Sequence, residues 1–172
     1  PGRLAFMAEP FGASVDPSVQ AAISPVAQIC RSLGWEVEEA APPLEPLLDF
    51  RDITRGLSAL GVRAALKPDM ALTGESYRTA CAQGEGLSLE RYEFALWPTA
   101  TGRPFSAGLR DGEITEDWRT VTLTPVMELP SISIPCGRDA DGMPAGLHIT
   151  GPKGSDAALL RFAHQIEGAL AA

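Results

Sequence analysis

The order of apolar and polar positions in the first part of the chain predicts a strand, a helix and a second strand. The run RLAFMAE at Arg3–Glu9 is mostly apolar and predicts a buried strand. Asp16 and Pro17 then favour a helix start, because the carboxylate can accept free backbone N–H groups and proline at the first helical position loses no hydrogen bond. The run WEVEEA at Trp35–Ala40 predicts the second strand. This order of elements is typical of an α/β fold.

The helix between these strands has one apolar face that a proline interrupts. Its apolar positions recur at steps of three and four residues: Val19, Ala22, Ile23, Val26, Cys30 and Leu33. Pro25 within a helix costs about 3 kcal/mol or forces a kink. The alternative is that a second helix begins at Ser24 and Pro25. Gly34 can end the helix, because glycine readily adopts the left-handed conformation found after a last turn.

The middle of the chain predicts two further helices and a strand. The apolar spacing allows a long helix over 47–66, and the segment 77–92 also favours a helix, although glycines interrupt it. The run EFALWPT at Glu93–Thr99 predicts a strand that enters a polar loop rich in turn-forming residues. The stretch Trp118–Met127 fits neither the helical nor the strand pattern clearly.

The last part of the chain predicts a β-hairpin followed by a helix. SISIPC at 131–136 and AGLHIT at 145–150 are β-like, and GRDADGMP between them is rich in Asp and Gly. Ser155 or Asp156 can begin a final helix. The apolar face of that helix contains Leu159, Leu160, Ala163, Ile166 and Leu170.

Composition narrows the class of protein without naming a function. A length of 172 residues suits one domain, and we expect a single domain over residues 1–172. The formal net charge of −8 argues against nucleic acid or an anionic membrane as a partner, and no apolar run is long enough to span a bilayer. The 3 cysteines lie far apart, which favours reduced thiols and a cytoplasmic location. Because Pro1 comes first and a strand-like run follows at once, we expect a piece of a longer chain.

The hairpin contains one candidate reaction centre. Cys136, His148 and either Asp139 or Asp141 lie close in sequence, and a cysteine nucleophile needs a base within hydrogen-bond reach. However, Cys136 follows a β run where a small apolar side chain packs well. His148 alternates with apolar neighbours, so we expect it on the opposite face of the strand and in solvent. The aspartates are typical turn residues. The pattern therefore favours packing for Cys136 over catalysis.

Metal and phosphate sites find little support in the sequence. There are 2 histidines, and the acidic run GRDADG lacks the glutamate that completes a calcium loop. The run GPKGSD before the last helix departs from the phosphate-loop pattern. The spacing of residues thus predicts no catalytic, cofactor-binding or metal-binding residue, and no cofactor.

A longer set of spaced residues carries a resemblance to a known family. The set comprises Pro130, Ile132, Ser133, Ile134, Pro135, Gly137, Asp141, Gly142, Pro144, Gly146, Leu147, His148, Gly151, Asp156, Leu159 and Leu160. It resembles the P-x-[IL]-[ST]-[VIL]-P-x-G, D-G-x-P-x-G-[LI]-[QH] and D-x-x-L-L patterns at the C-terminal end of the amidase signature family. The run LERYEFALWPTATGRPF and residues 3–44 resemble other parts of the second half of that family. The resemblance implies an α/β fold with a mixed β-sheet covered by helices, the C-terminal portion of an amidase signature fold.

The resemblance also implies a function, together with catalytic residues that this sequence lacks. In the family a nucleophilic serine attacks an amide carbonyl, helped by a second serine and a lysine. These residues belong to the N-terminal half of the family, and the serines lie in a Gly/Ser-rich stretch that has no counterpart in this sequence. We therefore expect the C-terminal segment of an amidase that hydrolyses a non-peptide C–N bond, catalytically incomplete alone. The alternative is a non-catalytic α/β module that binds a ligand or a partner.

The loop WPTATGRPF is the expected part of the substrate pocket. The resemblance places Thr99 in the family's P-T motif, and we expect Trp97 to give an apolar wall, Arg103 to meet an anionic group and Phe105 to add contact area. The alternative for Arg103 is a solvated surface charge. The expected partner is a small amide, bound when the N-terminal half is present. Without that half, an apolar face or unpaired sheet edge should promote self-association, for example as a dimer.

Overall fold

The structure is a computed structural model that describes residues 2–39, 89, 91–104, 119–126, 129–139 and 141–171. Its strands are β1 (Arg3–Phe6), β2 (Glu36–Glu39), β3 (Phe94–Pro98), β4 (Ser131–Arg138) and β5 (Pro144–Thr150). Its helices are α1 (Pro17–Ile23), α2 (Pro25–Ser32), α3 (Arg119–Val126) and α4 (Asp156–Leu170), and a short 3₁₀ turn at Pro10–Gly12 follows β1.

The strands form one mixed sheet of 5 strands in the order β2-β1-β3-β5-β4. β1 pairs in parallel with β2 and with β3. β5 pairs antiparallel with β3 on one side and with β4 on the other. The sequence prediction of an α/β fold with a mixed sheet covered by helices is therefore confirmed.

The first helical region consists of two helices, which confirms the alternative that a second helix begins at Pro25. The Oδ1 atom of Asp16 accepts the Ser18 backbone N–H at 2.8 Å, which caps α1. Ser24 ends α1 and precedes Pro25, which takes the first position of α2, where a missing N–H breaks no hydrogen bond. Gly34 has φ of +90° and ends α2 in the left-handed region that glycine tolerates.

Three helices cover one face of the sheet and form the larger core. α1, α2 and α4 bury apolar side chains against the inward positions of the strands, including Leu4, Leu96, Ile134, Leu147 and Ile149. Aromatic rings join α4 to the sheet, because Phe94 and Phe162 stack at a centroid distance of 4.6 Å. Packing on this face stabilises the whole mixed sheet, since the helices contact both its parallel and its antiparallel strands.

The opposite face of the sheet has a smaller core and a polar region. Ala5, Met7, Ala95 and Trp97 form this second cluster with Leu89 and Tyr92. α3, which comes from the stretch that the sequence left undecided, lies on this face. The Trp97 indole N–H donates to the Thr120 backbone carbonyl at 2.9 Å and joins α3 to β3.

Several sequence predictions fall beyond this description. The predicted helix over 47–66 and nearly all of that over 77–92 lie outside the described residues. The single domain over residues 1–172 stays a prediction. Within the described ranges, no helix has the length and apolar character that crossing a membrane requires.

Candidate functional site

A cleft of about 340 Å³ lies between the loop that follows β3 and the hairpin of β4 and β5. The loop contributes residues 99, 100 and 102–104, and the hairpin contributes residues 139 and 143–146. Val19 of α1 lines the cleft from the side. The cleft therefore has two walls that come from distant parts of the sequence.

Arg103 connects these two walls through ion pairs. Its Nε lies 2.8 Å from Asp139 Oδ2, and its Nη2 lies 2.5 Å from Asp141 Oδ2. The side chain of Asp139 is 4% exposed, whereas those of Arg103 and Asp141 are 40% and 67% exposed. The guanidinium is thus neither an isolated surface charge nor an unpaired cation within the cleft.

Asp139 also organises the hairpin turn. Its Oδ1 accepts the backbone N–H groups of Asp141 at 2.9 Å and of Met143 at 2.8 Å. The turn is closed by the Asp139 N–H, which donates to the Met143 carbonyl at 2.8 Å. Oδ1 of Asp139 therefore accepts hydrogen bonds within the turn, and Oδ2 pairs with Arg103.

Hydrogen bonds and charge at this turn favour the ionised carboxylate. The Met143 N–H is the main cause that holds the pKa of Asp139 below its usual range, and the Asp141 N–H and the Arg103 guanidinium act in the same direction. Asp141 is the main cause of a raised pKa for Arg103, with Asp139 adding to it. Both shifts favour the charged forms of Asp139 and Arg103 and thus their ion pair.

Two hydroxyl groups meet where Thr99, a residue of the cleft, contacts Ser133 of β4. The Oγ1 of Thr99, at the end of β3, and the Oγ of Ser133, on β4, are 2.6 Å apart. They meet above Gly146 of β5, the strand between them. The close approach depends on glycine, because a Cβ at this position would lie 2.8 Å from Thr99 Oγ1 and 3.0 Å from Ser133 Oγ.

His148 is buried, so the expectation that it is solvated is wrong. Its ring stacks on Trp97 at a centroid distance of 4.6 Å, and its Nε2 lies 3.4 Å from Thr124 Oγ1 of α3. Burial lowers the pKa of His148 to about 4, because the charged imidazolium loses hydration. The alternation had placed His148 on the correct face, but that face is covered by α3.

The possible Cys–His–Asp centre is not assembled. Cys136 belongs to the core on the side of α1, α2 and α4, whereas His148 stacks on Trp97 on the opposite side of the sheet. Burial raises the pKa of the Cys136 thiol to about 11, so it is not a thiolate at neutral pH. The sequence preference for a packing role is consistent with this position.

The predicted pocket residues have different locations. Thr99 and Arg103 line the cleft. Trp97 is fully buried behind them and does not line it. Phe105 lies outside the described residues. Their assignment to substrate binding stays a prediction.

Sequence reasoning did not assign two residues of the cleft, Gly146 and Asp139, or Ser133 beside it, to the site. Ser133 and Gly146 occupy family motif positions, and that coincidence was the available signal. The pairing of Asp139 with Arg103 has no local signal, because the two residues meet only after β3 and β5 pair. Among the described residues there is no group of three or more acidic, His or Cys side chains that could hold a metal ion.

These observations define an α/β protein with a mixed sheet and a cleft between the β3 loop and the β4–β5 hairpin. The Amidase family model matches residues 45–160. The chain therefore belongs to the amidase family.

Individual proteins agree with this assignment. A protein of Synechocystis sp. that is named as an amidase is 27% identical over 97% of this chain and 38% of its own length. A glutamyl-tRNA(Gln) amidotransferase subunit from Prochlorococcus marinus is 35% identical over 55% of this chain and 20% of its own length.

Solved structures show the same fold. The structure of 6-aminohexanoate cyclic dimer hydrolase superposes with a TM-score of 0.75 at 22% identity, covering 99% of this chain and 46% of that protein. At this identity the likeness shows the fold alone. The chain thus spans less than half the length of the Synechocystis protein and of the cyclic dimer hydrolase.

Proposed function

We propose that this chain is the C-terminal segment of an amidase that hydrolyses a non-peptide C–N bond. The observation that carries the proposal is the cleft between the β3 loop and the hairpin, in a chain of the amidase family. In this proposal the chain supplies sheet strands, covering helices and part of the substrate pocket. The reacting serines and the lysine come from the N-terminal half, as the family resemblance implies.

The proposed pocket segment runs from Trp97 to Phe105. Thr99 offers a hydroxyl at the base of the cleft, and Arg103 borders its opening. Trp97 supports this segment from behind through its hydrogen bond to α3. Phe105 is proposed to extend the apolar contact area along the same loop.

The second candidate is a binding module without catalysis. It is favoured by one observation: the described cleft residues include neither a nucleophile next to a base nor an unpaired charged group. Such a module would retain the cleft for a ligand or a partner. The two candidates differ in whether any amide is hydrolysed when the family's catalytic half is present.

The test is an enzyme assay of the full-length protein that carries this sequence. The substrates are a panel of small aliphatic and aromatic amides, and the measurement is the release of ammonia or amine. The control is the chain of 172 residues alone, which should release neither. Hydrolysis by this chain alone would overturn the proposal that it is incomplete. Saturable binding of amides without any hydrolysis by the full-length protein would favour the binding module.

The proposal extends to association and location. Separated from a catalytic half, the chain should self-associate through exposed sheet surface, and light scattering that shows a stable monomer at high concentration would refute this. A cytoplasmic location is supported by the free thiols of Cys30 and Cys136. Cell fractionation that recovers the protein outside the cytoplasm would refute that location.

A further inference from the structure

We propose that Arg103 is a positioning residue that clasps the two walls of the cleft, and that the cleft consequently accepts an uncharged group of the substrate rather than an anionic one. The statement about the substrate rests on the proposed function. The clasp itself does not, because it concerns contacts within the chain.

The loop after β3 is attached firmly at its base. The Thr99 N–H donates to the Gly146 carbonyl at 2.8 Å, and the Thr101 carbonyl accepts the Asp16 N–H at 2.7 Å. Gly102, the next residue of the loop, has space around it, since a Cβ there would meet no atom within 4 Å. The ion pairs of Arg103 are therefore well placed to hold the outer part of the loop against the hairpin.

Arg103 pairs with a turn whose conformation is already held by other hydrogen bonds. The turn is fixed by the two N–H groups that Asp139 Oδ1 accepts. The Arg138 side chain adds a hydrogen bond from Nη1 to the Gly142 carbonyl at 2.7 Å. Because one wall is rigid without Arg103, removing the guanidinium should release mainly the loop and leave the hairpin strands paired.

Among the described side chains, the carboxylates that contact Arg103 outnumber its single positive charge. Asp139 and Asp141 both contact it, and Arg103 lowers the pKa of a third carboxyl, Asp16, whose main stabilising partner is the Ser18 hydroxyl. A substrate carboxylate that approached Arg103 would be repelled by the two carboxylates already paired with it. The other lining side chains include Val19 and Met143, which suit an apolar group.

The first experiment measures hydrogen exchange in the full-length protein carrying Arg103→Ala, Arg103→Lys or the control Arg31→Ala. Arg31 is a matched control because its side chain is 41% exposed, close to the 40% of Arg103, and it pairs with Glu39 away from the cleft. Removing the clasp should speed amide exchange of residues 99–103 about fivefold, with Arg103→Lys intermediate because lysine keeps the charge but not the fork of donors. Exchange in this loop that is unchanged in Arg103→Ala, or equally raised in Arg31→Ala, would overturn the clasp.

The second experiment measures kcat and KM of the full-length protein for valeramide and for its analogues with a terminal carboxylate or a terminal ammonium. We expect a several-fold higher KM for the carboxylate analogue than for valeramide. Arg103→Ala should raise KM for valeramide with little change in kcat, which a general loss of folded protein would not do. A lowest KM for the carboxylate analogue, lost selectively in Arg103→Ala, would make Arg103 an anion receptor and overturn the proposal. If no amide is hydrolysed, the proposed function fails, while the exchange measurement still decides the clasp.

Discussion

Thr99 and Ser133 touch across a strand that separates them, with Thr99 Oγ1 and Ser133 Oγ 2.6 Å apart above Gly146. β3 and β4 are not neighbours in the sheet, because β5 lies between them. The absence of a side chain at Gly146 allows the two hydroxyl groups to approach. This single position therefore sets how closely Thr99, a residue of the cleft, approaches β4.

Replacing Gly146 with alanine should destabilise the protein by about 1–3 kcal/mol, because the new methyl group overlaps both hydroxyl groups. A control is Gly168→Ala, at a helical position of α4 where a Cβ would meet nothing within 4 Å. That change should be neutral or stabilising by up to about 1 kcal/mol. Denaturant unfolding of the two variants checks this, and equal destabilisation in both would contradict it.

The sequence predicted local features of the fold better than features made by distant contacts. The Asp16 cap, the restart at Pro25 and the β4–β5 hairpin each depend on neighbouring residues, and all three are confirmed. The environment of His148 was predicted wrongly, because alternation shows which residues share a face but not what covers it. The covering element α3 comes from a stretch with no clear periodicity.

The cleft was predictable only in part for the same physical reason. Family motif positions pointed to Thr99, and the loop was expected to hold Arg103. Its pairing with Asp139 and Asp141 depends on the register of β3 against β5, which spacing along the chain does not encode. The burial of Trp97 depends on the approach of α3 in the same way.

Stability should fall as the pH falls from about 6.5 towards 4, because His148 is buried in its neutral form. Its folded pKa of about 4 lies below the value of 6.5 for a free histidine, so the unfolded state binds the proton more tightly in this range. The contribution is full above pH 6.5 and its loss by pH 4 is on the order of 3 kcal/mol. The check is unfolding at several pH values for the wild type and His148→Gln, which cannot titrate but can still bond Thr124.

The variant should show a smaller loss of stability across this range than the wild type. His164→Gln, which removes the exposed histidine of α4, is the matched control. An identical pH dependence in the wild type and His148→Gln would show that the buried ring does not contribute.

Cys30 and Cys136 should resist alkylation in the folded protein. Both are buried, and burial raises the pKa of each thiol to about 11, so the reactive thiolate is scarce at neutral pH. Mass spectrometry after brief exposure to iodoacetamide should find these two sites unlabelled, and both labelled after denaturation. Rapid labelling of Cys136 under native conditions would support the hypothesis that this cysteine is a nucleophile.

Trp97→Phe should destabilise the protein by about 2–4 kcal/mol. The change removes a buried hydrogen bond to the Thr120 carbonyl and opens space beside His148. Chemical denaturation gives the free energy, and Phe11→Leu is a useful comparison because Phe11 touches Trp97 from the partly buried edge. A smaller cost for Trp97→Phe than for Phe11→Leu would argue against the indole hydrogen bond as the anchor of α3.

The place of β3 in the middle of the sheet has a consequence for the order of folding. β1, α1, α2 and β2 are continuous in sequence, as are β4, β5 and α4, whereas β3 joins the two groups from far away along the chain. Closing long loops costs entropy before their contacts form, so β3 should dock late. Leu96→Ala in β3 should then mainly speed unfolding, whereas Leu147→Ala in β5 should mainly slow refolding, and stopped-flow kinetics would detect the reverse. β3, the strand that precedes the cleft loop, would thus be the last strand to join the sheet. The cleft would therefore exist only in the fully folded chain.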